Sequence, residues 1–265
     1  VRGVAFSASG TIVLAGHTEG SLGGPNAGGA DAFVRVLDDQ GHEVWTNQFG
    51  TDTWDFATAV SVGPDGTIYV AGETEGLLGT TSAGSNDAFV RAIDAQGRDL
   101  WTHQFGNSMW DSVISMAVGP SGTIVVTGDT QMGPGGLDAE YQAYVRALDR
   151  RGQDMWTYQS ELQTGDFPPQ VAILQDGTVL LSADAPAVMR EAIPGGRDAF
   201  IQALDTSGDE VWMQPFGTEG LNEVLGIAVR PDASVLIVGT VHVGVDGSLL
   251  RLPDVLVHRL LVGNR

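Results

Sequence analysis

A β-propeller of four-stranded antiparallel blades is what this sequence predicts. Three observations predict it: self-similarity at a period of about 56 residues, four strand-length apolar segments in each repeat, and a tryptophan at one fixed place in four of the repeats. Gly66-Thr67-Ile68-Tyr69-Val70-Ala71-Gly72 answers Gly10-Thr11-Ile12-Val13-Leu14-Ala15-Gly16, and the same phase returns at Gly122-Thr123-Ile124, Gly177-Thr178-Val179 and Ala233-Ser234-Val235. The steps are 56, 56, 55 and 56 residues, which divides one domain, 1–265, into repeats 1–56, 57–112, 113–167, 168–223 and 224–265. The last repeat lacks a segment for a fourth strand; because the remainder is well formed, the sequence favours a five-bladed ring with a three-stranded last blade over an arc of a larger propeller.

The second repeat gives the elements in order. Strands are predicted over 58–62, 67–73, 88–94 and 99–105, each short and rich in β-branched or aromatic residues, and none has the 3.6-residue spacing of an amphipathic helix. Gly63-Pro64-Asp65-Gly66 supplies a tight turn between the first two, with proline setting φ and glycine accepting a positive value. Ala95-Gln96-Gly97 does the same between the third and fourth. The second-to-third connection is long and rich in Gly and Ser, and the fourth-to-first connection is also longer, so both extended loops fall at one end of the blade. Radial repetition of such units protects sheet edges. Trp45, Trp101, Trp156 and Trp212 open the fourth strands, and large rings at a fixed place in successive blades are expected to wedge between neighbours.

Bulk composition narrows the function classes. The chain has 33 acidic and 13 basic residues, a formal charge of −20, which repels phosphate backbones and argues against a nucleic-acid partner. With no cysteine there is no disulfide framework, thiolate nucleophile or Cys-ligated zinc. No run of 18 apolar residues is present to span a bilayer as a helix.

Asp87-Ala88-Phe89-Val90-Arg91-Ala92-Ile93-Asp94, then Trp101-Thr102-His103-Gln104-Phe105-Gly106, then Asp111, together resemble the SBBP family of bacterial β-propeller repeats. The likeness is close in the first two repeats and decays afterwards, with Gln142-Ala143-Tyr144 and Ser160-Glu161 in the third. The resemblance implies a propeller of a secreted or cell-surface bacterial protein and brings no catalytic residues with it.

Superposing the repeats turns scattered side chains into rings. The position after the second-strand glycine reads His17, Glu73, Asp129, Asp184 and Thr240, and two residues on stand Glu19, Glu75, Gln131, Pro186 and His242. These positions are expected to form an acidic crown around the opening at the loop end. Oxygen ligands there suit Ca²⁺, with Glu73, Asp129 and Asp184 as metal candidates, or a polyol; a solvated strand end on an acidic protein explains the same residues. Trp54 and Trp110 precede Asp55 and Asp111 in adjacent fourth-to-first loops and are not repeated further on. They are expected either to stack on a sugar or grip a partner, or to cover the top of strand one. Asp55 and Asp111 themselves are expected to cap turn amides. The third-strand series Arg35, Arg91, Arg146, Gln202 and His258 is expected to pair with acids between blades.

No Gly-x-Ser-x-Gly elbow occurs, and His17 with His242 and Glu19 is the best acid–base set the sequence offers. Three readings follow. The first is a non-catalytic binding propeller holding a glycan, small molecule or protein through Trp54, Trp110, Glu73, Glu75, Asp129 and Asp184. The second is a hydrolase or lyase at the channel mouth, with a metal or without. The third is a structural blade array in a larger surface protein.

Overall fold

The computed structural model describes residues 1–133, 140–163, 169–184, 199–216, 221–230, 232, 234–242 and 254–261. It is an all-β, five-bladed propeller. Blade one comprises β1 (Gly3–Phe6), β2 (Ile12–Thr18), β3 (Asp31–Leu37) and β4 (Glu43–Phe49); blade two comprises β5 (Asp55–Val62), β6 (Ile68–Thr74), β7 (Asp87–Ile93) and β8 (Asp99–Phe105). Blade three has β9 (Asp111–Val118), β10 (Ile124–Met132), β11 (Glu140–Leu148) and β12 (Asp154–Gln163); blade four has β13 (Gln170–Ile173), β14 (Val179–Asp184), β15 (Ala199–Leu204) and β16 (Glu210–Phe216). Blade five, β17 (Leu221–Val229), β18 (Ser234–His242) and β19 (Asp254–Leu261), is three-stranded among the described residues. Every sheet is an antiparallel meander in chain order. Among the described residues no helix is long and apolar enough to cross a membrane.

The predicted turns form as their residues require. Gly66 adopts φ 84° and Gly97 φ 82°, the left-handed region that glycine enters without steric cost. The Asp94 carboxylate accepts the amides of Gln96 and Arg98, so the second of these turns is held by its own side chain. One boundary of the second blade differs from expectation by more than a residue. β5 begins at Asp55 rather than Thr58, because the ladder resumes beyond a bulge: pairing shifts between Ala57 and Ala59, and Asp55, Phe56 and Ala57 continue opposite Thr74, Glu73 and Gly72. The bulged Thr58 turns its hydroxyl toward the next blade, donating to the carbonyl of Val113 in its first strand at 2.5 Å.

Blades pack through their first strands. β5 lies against β1, β2 and β3; β9 against β5, β6 and β7; β17 against β13, β14 and β15. Small and β-branched side chains fill each seam: Ala15, Val34 and Val36 of blade one meet Ala57 and Val60 of blade two. Ala71 and Val90 meet Val113 and Met116 of blade three in the same way. On the outer side, three of the repeated tryptophans reach forward to the next blade's third-to-fourth turn. The indole N–H of Trp45 donates to the carbonyl of Ala95 at 3.1 Å, that of Trp101 to Arg150 at 3.0 Å and that of Trp156 to Thr206 at 3.0 Å.

The third-strand arginines correct one expectation. Their acids belong to the same blade, at the start of its fourth strand: Arg35 pairs with Glu43 at 3.3 Å, Arg91 with Asp99, and Arg146 with Asp154 at 2.6 Å. A cross-strand neighbour is nearer than any inter-blade carboxylate. What crosses the seam is the guanidinium's flat face, Arg91 over Phe49 at 4.4 Å and Arg146 over Phe105 at 4.3 Å.

Candidate functional site

The long loops are fastened by one glutamine in each of the first two blades. The Gln104 amide donates to the carbonyl of Gly76 (2.9 Å) and to Asp87 (2.8 Å), while its oxygen accepts the amides of Leu78 (2.9 Å) and Gly79 (2.8 Å). Gln48 makes the matching bonds to Gly20, Asp31, Leu22 and Gly23. Four bonds from one side chain replace the ladder hydrogen bonds that irregular backbone lacks. Asp55 and Asp111 cap the amides of Thr51 (2.6 Å) and Asn107 (2.7 Å), as the sequence predicts.

The glycine of each Gln-Phe-Gly run lies where two buried carboxylates converge. A Cβ on Gly106 would stand 2.6 Å from Asp111 Oδ2 and 2.9 Å from Asp87 Oδ1; one on Gly50 would stand 2.5 Å from Asp31 Oδ1 and 2.9 Å from Asp55 Oδ2. Only glycine leaves this space. Burial, reinforced by the charge of Asp87, pushes the Asp111 carboxyl above its ordinary value, although its hydrogen bonds with Thr130 and the Asn107 amide pull the other way. A carboxyl whose folded pKa lies above its unfolded one loses stability as pH rises from the unfolded value through the folded one. Asp111→Asn, the residue present as Asn222 at the head of blade five, is therefore expected to gain stability relative to the parent progressively above about pH 4. Urea midpoints measured at successive pH values check this, and a difference independent of pH contradicts it.

At the loop end, between blades one and two, lies a cavity of about 490 Å³ lined by Arg2, His17, Phe56, Thr58 and Glu73. Cross-strand register places Phe56 beside Glu73. The Glu73 carboxylate accepts the indole N–H of Trp110 at 2.9 Å and the amide of Asn86 at 3.1 Å, both at Oε2. Burial nevertheless raises its pKa. On the facing blade, the His17 ring meets Phe56 edge-on at 4.8 Å, and Phe56 stacks on Trp54 at 5.8 Å, so an aromatic column runs from the cavity to the loop face. Burial and the nearby Arg2 charge lower the His17 pKa, keeping the imidazole neutral at neutral pH. Trp54 and Trp110 remain 41% and 46% exposed.

The structure thus brings together Glu73, Trp110, His17 and Trp54 from the expected set. Glu19 and Glu75 are exposed at the rim, and the Glu75 amide donates to the carbonyl of Trp54 at 3.0 Å. Asp129 holds the corresponding position in blade three, opposite Ala143 and Ser112. The backbones of Asp184 and His242 end β14 and β18, but their side chains, and all of Pro186, lie outside the described residues. Among the described residues no group of three or more His, Asp or Glu side chains is placed to hold a metal ion. Arg2, Phe56, Thr58 and Asn86 escaped the sequence reading. The signal for Phe56 is an aromatic beside Trp54 and Asp55 whose place in the next repeat is taken by Ser112.

No family model matches the chain, so the SBBP likeness rests on the residues quoted above. Over 213 residues the chain is 26% identical to the regulatory protein FlaEY of Caulobacter vibrioides, covering 77% of this chain and 21% of that protein, so the chain spans about a fifth of its length. Among solved structures, it is similar to the WD40 domain of Neurospora crassa Pan2 at a TM-score of 0.52 and 15% identity, over 89% of this chain and 59% of that one. It is also similar to the NanB sialidase of Streptococcus pneumoniae at a TM-score of 0.52 and 10% identity, over 79% and 32% of the respective chains. At these identities the likeness concerns the fold alone.

Proposed function

We propose that the chain is a non-catalytic binding propeller of a secreted or cell-surface bacterial protein, and that it takes a glycan at the mouth between blades one and two. The observation that carries this reading is the pairing of two half-exposed indoles with a carboxylate already fixed in place by Trp110 and Asn86. Sugar recognition needs a flat apolar surface for the ring and oriented acceptors and donors for its hydroxyls; Glu73 and Arg2 line the cavity, and Trp54 stacks on Phe56 in its wall. Loops pinned by Gln48 and Gln104 favour a preformed site, which lowers the ordering cost of binding.

Trp110→Ala and Glu73→Gln are each expected to weaken binding to a glycan found by array screening about tenfold or more, the scale of one lost stacking or charged hydrogen-bond contact. Isothermal titration measures this. Unchanged affinity for both variants, with a lowered melting temperature for Trp110→Ala, overturns the reading and makes the indole a cover for strand one. A hydrolase or lyase reading draws on one specific observation: a raised-pKa Glu73 and a neutral His17 line the same cavity, which is the pairing an acid and a base require. Turnover of a bound glycan that disappears in Glu73→Gln would favour it over simple binding.

A further inference from the structure

The four inner seams of the propeller define what a blade's forward face looks like when it is covered. Cross-strand register identifies the equivalent pairs: Ala15 with Val34, Ala71 with Val90, Thr127 with Val145, Ser182 with Ile201, and Val238 with Val257. In blades one to four the first member of each pair is 0% exposed and the second at most 1%, whereas Val238 is 40% and Val257 61% exposed. The neighbouring position repeats the contrast: Ala32, Ala88, Ala143 and Ala199 are at most 2% exposed, and Val255 is 76% exposed.

The complementary half of a seam is equally bare on blade one. Val4 of β1 takes the place that Val60, Met116 and Val171 take in the following blades, each opposite the matching second-strand residue. Those three are at most 9% exposed, because each packs back onto the preceding blade, but Val4 is 57% exposed. Phe6, two residues on and pointing the same way, is 67% exposed. Its counterparts Val62 and Val118 pack against the cores of their preceding blades.

We propose that the forward face of blade five and the back face of blade one form a seam between two copies of this chain, joined head to tail. The occupant is argued from the molecule itself: the five blades carry both halves of a contact that they make four times among themselves, and leave one half open on blade five and the other on blade one. The contact is heterologous, so association extends beyond a dimer unless the rotation closes. The charge of −20 opposes it, so added salt strengthens it.

Sedimentation velocity of the 265-residue chain, at rising protein concentration and at low and high salt, tests the proposal. The parent is expected to associate with concentration and more so in salt. Val257→Asp and Val4→Asp, each placing a charge on one face, are each expected to be monomeric with an unchanged melting temperature; Val255→Asp serves if Val257→Asp fails to fold. Mixing Val257→Asp with Val4→Asp leaves one intact face of each kind and is expected to give a dimer and nothing larger, which indiscriminate sticking of apolar patches does not produce. A parent that stays monomeric throughout overturns the proposal, whether the faces meet within one chain or await a blade from elsewhere. So does a mixture that remains monomeric.

Discussion

Gly72→Ala is expected to cost about 3 kcal/mol or more of folding stability, among the largest effects available from one methyl group in this chain. A Cβ at this position would stand 1.8 Å from the carbonyl oxygen of Phe56, and the backbones of both residues are committed to the β5–β6 ladder. Relief requires moving the backbone of β5 at its bulge, and β5 is the strand through which blade two packs on blade one. The same contact recurs in blade three, where a Cβ on Gly128 would meet the carbonyl of Ser112 at 1.8 Å, so Gly128→Ala should reproduce the loss. Gly66→Ala separates crowding from backbone strain: nothing lies within 4 Å of its Cβ position, but φ is 84°, and a penalty nearer 1 kcal/mol is expected. Urea denaturation measures all three. A shift below about 1 kcal/mol for Gly72→Ala would mean that the bulge absorbs the extra atom freely.

Trp101→Ala is expected to cost about 3 kcal/mol, toward the lower end for a buried aromatic because the ring is only partly buried. Three contacts would be lost together. The indole N–H donates to Arg150 at 3.0 Å, the ring packs on Tyr69 at a centroid distance of 6.0 Å, and it lies over Gly152, where a Cβ would meet it at 2.8 Å. Trp101→Phe keeps part of the apolar contact and loses the hydrogen bond, so it should recover more than half of the loss. Equal destabilisation by the two variants would instead assign the energy to the hydrogen bond alone.

The architecture was legible because a pattern seen five times is hard to misread: turns at Gly66 and Gly97, short apolar strands between them, and a tryptophan in each full blade all follow from the repeat. What escaped depended on atoms that meet only after folding. Asp55, Phe56 and Ala57 read as loop because the bulge at Thr58 breaks the alternation by which a strand is recognised. The arginine series was assigned across blades, yet the in-blade acids at the head of the fourth strand were in plain view eight residues further on, at Glu43, Asp99 and Asp154. At the candidate site, repeat mapping brought out Glu73, His17, Trp54 and Trp110, but not that Trp110 would hold Glu73 through its indole N–H. Nor could spacing reveal that Asp87 and Asp111, 24 residues apart in the chain, converge on Gly106.

The tryptophan contacts all point one way along the chain, from Trp45 to the turn at Ala95, from Trp101 to that at Arg150, and from Trp156 to that at Thr206. During synthesis, then, the indole N–H of each of these three tryptophans is left to water until the following blade has emerged and folded. Completion of blades one to three waits on the blade behind, and a pause between repeats prolongs the exposure of an aromatic ring at the growing end.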